Sequence, residues 1–225
     1  MFKKEKTDIP IIIVCEDTYG LDVLAIVEAI NHSNGLNRYS VLGFICDNIK
    51  AFDDMDLPVY LLGKISEWVC SGKERYVMAI RNPLHKQKAA ELLKRKGAVF
   101  ETLIAPWVHT PPEFTAGEGC IIGNYLFKNK SVFGKFVIMD NIICESVEIG
   151  DYSTLCPFVN ITSSNIGQRV YIGTHSAIVS GRIVGDDAYI LPGSIVMGNV
   201  KPGSRIAGIP ASSRNAKIWE DQKNE

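Results

Sequence analysis

The chain has 225 residues, enough for one large domain or two modest ones, and its 46% hydrophobic and 22% charged composition is that of a folded protein rather than a disordered one. Lys plus Arg number 24 against 25 for Asp plus Glu, a formal net charge of -1, so the basic surplus of a nucleic-acid binder is missing. The apolar run at residues 9–15 is far short of the roughly 20 residues a membrane helix needs, and the basic start Met1-Phe2-Lys3-Lys4 leads into no signal-peptide core, which predicts a cytoplasmic protein without membrane insertion.

In chain order, residues 11–14 form a continuous apolar run of the kind a buried parallel strand shows. Residues 21–30 follow with helical spacing, and residues 39–45 read as a second strand. Residues 58–61 and 76–80 read as two more strands, and residues 84–96 as a helix with Ala89, Leu92 and Leu93 on its apolar face. Lys94-Arg95-Lys96 before Gly97 reads as a solvated helix end that complements the dipole. Strands alternating with helices predict βαβ units and a mostly parallel sheet. Six cysteines, Cys15, Cys46, Cys70, Cys120, Cys144 and Cys156, show no zinc-type spacing, so buried thiols and no metal are expected.

Beyond about residue 104 the helical pattern stops, and Pro106, Pro111 and Pro112 punctuate a connector. Aliphatic residues then recur every six positions at Ile149, Leu155 and Ile161, and again at Ile166, Ile172, Ile178, Val184, Ile190 and Val196, with one five-residue step between the two series. Upstream, Ile143 and Val137 continue the count. A period of six fits neither a helix nor an alternating strand. It fits a chain wound as a parallel β-helix, each short strand sending one large aliphatic side chain inward and Gly or Asp serving the corners. The polar end, with Ile218-Trp219, is expected to form a short terminal helix.

Such a hexapeptide repeat resembles the left-handed β-helix acyltransferases, and the segment from Val200 through Gly208-Ile209-Pro210-Ala211 is similar to that family's exit from the helix. The N-terminal pattern, with Gly43-Phe44-Ile45-Cys46-Asp47-Asn48, resembles the nucleotide-sugar domain of the sialic acid O-acetyltransferase and UDP-4-amino-sugar N-acetyltransferase type. The resemblance implies an α/β Rossmann-like domain over residues 1–104, an all-β left-handed parallel β-helix over 105–211 and a tail over 212–225 with a short C-terminal helix. It further implies acetyl-CoA as acyl donor, a sugar or nucleotide-sugar acceptor in surface-polysaccharide or glycan biosynthesis, and a homotrimer. Gly173 and Gly208-Ile209-Pro210-Ala211 would lie at the CoA, and Tyr19, Gly20, Asp47 and Arg81 at the acceptor.

Two departures from the family pattern bear on chemistry. The family's Gly-rich turn after the first strand is here Cys15-Glu16-Asp17-Thr18-Tyr19-Gly20, which sets two carboxylates where a diphosphate would arrive. Arg81 stands ready to meet a phosphate or to pair with Glu16 or Asp17. The family's two histidine positions, counted from Ile149-Gly150-Asp151, fall on Glu145 and Thr154. Two readings follow: a sugar N- or O-acyltransferase with Glu145 as general base, or a catalytically degenerate, regulatory relative on the same scaffold.

Overall fold

The computed structural model describes residues 8–33, 38–53, 56–123, 125–140 and 142–213, with side chains left aside at 125–129 and 213. The first half is a four-stranded parallel sheet in the order β3-β2-β1-β4. Its strands are β1 (Ile9–Cys15), β2 (Tyr39–Cys46), β3 (Leu61–Gly63) and β4 (Arg75–Ala79). Helix α1 (Tyr19–Ser33) connects β1 to β2, and α2 (Pro83–Arg95) follows β4 and leads toward the second half.

Because successive side chains of a strand point to opposite faces, β1 serves two cores at once. Ile11, Ile13 and Cys15 pack with Val23, Leu24, Val27 and Ile30 of α1. Ile12 and Val14 pack with Ala89, Ala90 and Leu93 of α2. This is why residues 11–14 are apolar without alternation. The strand expected at 58–61 lies instead at Leu61–Gly63: Pro58 has no amide to give a ladder, and pairing with β2 begins where the Tyr60 carbonyl accepts the Phe44 amide at 2.8 Å. The cationic end of α2 is docked rather than solvated. Lys94 pairs with Glu118 and lies 5.0 Å from the Phe136 ring centroid, while Lys96 donates to the Ser66 and Trp68 carbonyls at 2.8 Å.

The second half is wound from short parallel strands into ladders. On one face Ile104, Ile122, Met139, Leu155, Ile172, Ile190 and Ile206 occupy equivalent positions in successive coils. On the second face the ladder is Cys144, Ile161, Ile178 and Val196, and on the third Ile149, Ile166, Val184 and Val200. All nine repeat positions read from the sequence are buried in one cluster. The parallel ladders are consistent with the left-handed form of β-helix.

The corners explain the period. Gly119, Phe136, Tyr152, Arg169, Asp187 and Gly203 form one column of left-handed residues, Phe158, His175 and Gly193 a second, and Ser146, Ser163 and Gly181 a third. From the second residue of each column onward the amide bonds to a carbonyl of the preceding coil, as in Tyr152 to Lys135 at 2.7 Å and Arg169 to Asp151 at 2.8 Å. Left-handed backbone costs a non-glycine residue roughly 1–2 kcal/mol, and the recurring interstrand bonds and ring stacking offset it. Phe136 stacks on Tyr152 with centroids 5.2 Å apart. At the Ser146 and Ser163 corners the inward step is five residues, not six, so Cys144 fills the interior and Ile143, expected to point inward, is 53% exposed.

The halves share cores. Ile121 and Ile138 of the first wound face join the α1 cluster, and Phe136 joins the α2 cluster. At the far end, the strand Arg205–Gly208 turns through Ile209-Pro210 into an antiparallel strand, Ala211–Ser213. The expected terminal helix at Ile218-Trp219 lies outside the described residues. Five of the six cysteines are buried, none of the six is in a disulfide, and among the described residues no helix is long and apolar enough to cross a membrane.

Candidate functional site

A crevice of about 610 Å³ opens where β1, β2 and β4 end, lined by Glu16, Asp17, Asp47, Asn48, His85 and Lys88 among others. Open parallel sheets bind ligands at this edge, where helix N-termini converge. Asp17 caps α1, its Oδ1 accepting the Tyr19 amide at 2.8 Å, while its Oδ2 takes the Arg81 guanidinium at 3.2 Å. Glu16 pairs with His85 at 2.7 Å. Of the two partners open to Arg81, the structure selects Asp17, and the two carboxylates of the turn are each matched by a basic group. Asp47 is exposed at the crevice mouth and accepts the Ser66 amide and hydroxyl at 3.1 and 3.0 Å.

Gly20 is packed tightly: a Cβ there would lie 3.1 Å from the Cys15 side chain. That close approach of α1 to β1 gives the glycine a packing role. Tyr19 is 3% exposed, its ring lying 4.9 Å from the Arg81 guanidinium. It lines a second cavity, of about 440 Å³, together with Asp22, Ile26, Trp107, Asp140 and Pro157 among others. The sequence-derived acceptor set is therefore divided, with Asp47 on the crevice, Tyr19 on the second cavity and Arg81 between them.

Beside Arg81, Lys86 is fully buried, donating to the Ser153 carbonyl at 3.1 Å and to Thr154 Oγ1 at 2.7 Å. Thr154 Oγ1 in turn donates to the Arg81 carbonyl at 2.7 Å. Burial pulls the Lys86 ammonium down to about 7. Thr154, at the second histidine position of the resemblance, thus belongs to the seam between the halves.

Glu145 stands apart from these groups. It is half-buried on the strand Ile142–Ile149, in register with Thr162, and its carbonyl accepts the Ser163 amide at 2.7 Å. Gly208 pairs with Ala211 across the terminal turn, Ile209 is 73% exposed, and Ala211 borders a cavity of about 300 Å³ with Asn199, Lys201 and Ser204. Gly173 lies one coil below Pro192, whose backbone nitrogen would be 2.5 Å from an added Cβ, so close stacking of coils demands it.

His85, Lys88, Trp107 and Asp140 were missed as site residues. For the first two a signal existed: Asn82-Pro83 is a helix start, the Asn82 side chain accepting the Leu84 and His85 amides at 3.0 and 3.2 Å, and a helix that starts at the carboxyl end of a sheet aims its first turn at the crevice. Asp140 and Trp107 carried none, being joined only by the docking of the halves. Among the described residues no group of three or more His, Cys, Asp or Glu could hold a metal ion.

No family model matches the chain. It is 27% identical over 132 residues to the bifunctional protein GlmU of Anaplasma marginale, covering 55% of this chain and 29% of that protein. It is 25% identical over 174 residues to the galactoside O-acetyltransferase of Escherichia coli, covering 66% of this chain and 82% of that one. The chain thus spans under a third of the length of the GlmU relatives. In solved structures the same fold is found in a histidine-to-asparagine variant of perosamine N-acetyltransferase from Caulobacter crescentus, in complex with CoA and GDP-perosamine. The TM-score is 0.79 at 16% identity, covering 92% of this chain and 97% of that one. The acetyltransferase domain of PglB from Neisseria gonorrhoeae, in complex with acetyl coenzyme A, gives 0.76 at 16% identity, covering 92% and 100%. These likenesses show a fold shared over both halves.

Proposed function

We propose that the chain is an acetyl-CoA-dependent acyltransferase acting on an amino or hydroxyl group of a sugar or nucleotide-sugar, in the hexapeptide-repeat class that includes the sialic acid O-acetyltransferase and UDP-4-amino-sugar N-acetyltransferase type. The observation that carries this is the joint match of sheet and coils, over 92% of the chain, to sugar acetyltransferase structures holding CoA. The first half then serves as the Rossmann-like acceptor domain, with Asp47, Tyr19, Gly20 and Arg81 toward the acceptor. The left-handed β-helix holds the thioester near Gly173 and the turn Gly208-Ile209-Pro210-Ala211, where Lys201 supplies a cation suited to phosphate.

The chemistry is addition of the acceptor nitrogen or oxygen to the thioester carbonyl and departure of the thiolate. Alignment of the two reactants supplies much of the rate, a coil amide would hold the developing oxyanion, and Glu145 is the base in this reading. Three copies assemble around the wound halves, a proposal supported by Ile143, Phe158, Val179 and Met197, all more than a third exposed on the second face and its corners. A scaffold without turnover is the competing reading, favoured by Thr154, whose hydroxyl is committed to Lys86 and Arg81. Calorimetric titration of acetyl-CoA decides between them: micromolar binding near one site per chain is expected, and no binding would leave the scaffold reading. With binding established, Glu145→Gln should abolish turnover while retaining CoA affinity.

A further inference from the structure

We propose that the crevice at the end of the first sheet takes an acceptor sugar that carries no phosphate, and that its own side chains turn away a nucleoside diphosphate. This names the acceptor class within the acyl-transfer reading and rests on that reading for the transfer itself. The observation that carries it is where the hydrogen-bond donors of this edge go.

A phosphate at the end of a parallel sheet is held by the first-turn amides of the helices. At α1 these are taken: the Tyr19 amide donates to Asp17 Oδ1 at 2.8 Å, the Gly20 amide to the Asp17 carbonyl at 3.3 Å and the Leu21 amide to the Thr18 carbonyl at 2.9 Å. At α2 the first residue, Pro83, has no amide to give. Asn82 Oδ1 accepts the Leu84 and His85 amides at 3.0 and 3.2 Å, and the Lys86 amide donates to the Asn82 carbonyl at 2.9 Å. The first turn of each helix is thus closed by the residues just before it.

The basic side chains are committed in the same way. Arg81 pairs with Asp17 at 3.2 Å and lies 4.9 Å from the Tyr19 ring centroid, and His85 Nδ1 meets Glu16 at 2.7 Å. That leaves Lys88 among the lining residues against the carboxylates of Glu16, Asp17 and Asp47. A diphosphate brings more negative charge into this ring, and to gain a cation it has to displace a carboxylate already in place.

What the crevice offers instead is acceptors beside an apolar wall. An ionised carboxylate only accepts, and sugar hydroxyls are uncharged donors that suit it. Asp47 is fixed at the mouth by the Ser66 amide and hydroxyl at 3.1 and 3.0 Å. Ile65, Ile80, Ala89 and Leu92 supply apolar surface for the face of a sugar ring, and the volume of about 610 Å³ is that of a small-molecule site. A simple glycoside, or the end of a glycan chain, presents both features without a phosphate.

The test is calorimetric titration of the full chain with UDP and with GDP, the nucleotide of the ligand in the Caulobacter structure, at low ionic strength where charge is least screened. Neither is expected to bind more tightly than about 1 mM. Glu16→Gln combined with Asp17→Asn releases His85 and Arg81 while asparagine still caps the helix, and it should bind both at least about tenfold more tightly. Glu16→Gln alone, which leaves the Asp17 cap and ion pair in place, should show part of that gain; both variants are checked for an unchanged melting curve. Saturation-transfer NMR, which reads millimolar affinity, follows methyl glucoside, methyl galactoside and methyl mannoside. At least one should bind, and Asp47→Ala should weaken it severalfold. Micromolar binding of UDP or GDP to the wild type that excess acetyl-CoA does not displace, no gain in either carboxamide variant, or no contact with any of the three glycosides would overturn the proposal. Acetyl-CoA calorimetry keeps the transferase reading separate. Acetyl-CoA binding beside such UDP or GDP binding overturns the crevice specificity and leaves the transferase standing. Glycoside binding without acetyl-CoA binding supports the crevice specificity and removes the transferase reading.

Discussion

Two buried charges of opposite sign show how single residues set the pH range of this protein. Burial alone would push the Glu74 carboxyl up, but hydrogen bonds from the Ser71 hydroxyl, the Tyr76 hydroxyl and the Ser71 amide outweigh it and hold the group at about 2. A depressed carboxyl contributes stability that is full above its unfolded value near 4.5 and is lost as pH falls toward 2. Glu74→Gln should therefore cost on the order of 2 kcal/mol at neutral pH, with the difference from wild type shrinking below pH 4 in acid-unfolding curves. Lys86 works the other way. Its folded value of about 7 lies below the unfolded 10.5, so between those limits the unfolded chain holds the extra proton and stability rises with pH. The wild type should gain on the order of 2 kcal/mol over Lys86→Met between pH 7 and 9, measured as the difference in urea unfolding, which cancels the other titrating groups. Lys86 was legible in part: it precedes Ala89, Ala90 and Leu93 by three, four and seven residues, on the apolar face of α2. Its partners Ser153 and Thr154 were not, because nothing in the local pattern tells which coil a helix will meet.

At the scale of elements, the six-residue aliphatic period was enough to find the wound half, since one inward side chain per strand is a demand of geometry. It was not enough to find every corner. Counting back from Ile149 by six reaches Ile143, yet the corner at Ser146 is a five-residue one and the inward place goes to Cys144, as it does again between Ile161 and Ile166. The first half was legible where a strand is sandwiched by helices, as in β1, and less so at β3, a three-residue edge strand that lacks such cover. The corner columns separate two effects of a missing side chain. Gly119 (φ +73) leaves no room, as a Cβ would lie 2.4 Å from the Phe136 ring, itself wedged between Phe100 and Tyr152. Gly181 (φ +76) faces open space. Gly119→Ala should cost roughly 3 kcal/mol or more by overpacking and strain together, and Gly181→Ala only about 1. Thermal unfolding of the pair checks this, and equal losses would mean that backbone strain alone decides both.

For the whole molecule, the shared cores imply that the two halves unfold together. Ile138 sits in a strand of the first wound face and is 1% exposed within the cluster that α1 and β1 build. Ile138→Ala should cost about 3 kcal/mol, and calorimetry should show one cooperative transition moving as a unit; two separated transitions would show that the halves are thermally independent. The antiparallel strand Ala211–Ser213 has a different kind of consequence. A wound sheet is a template for its own continuation, because the last coil offers the next one a row of unpaired amides and carbonyls of the same polarity. On the first face the chain itself fills that row, running backward after Pro210, and a coil arriving from another molecule meets a three-residue strand of reversed direction. Among the described residues the longest ladder of the solenoid thus ends on a change of polarity, so a coil added there in the parallel register of the others would meet a strand of the wrong direction.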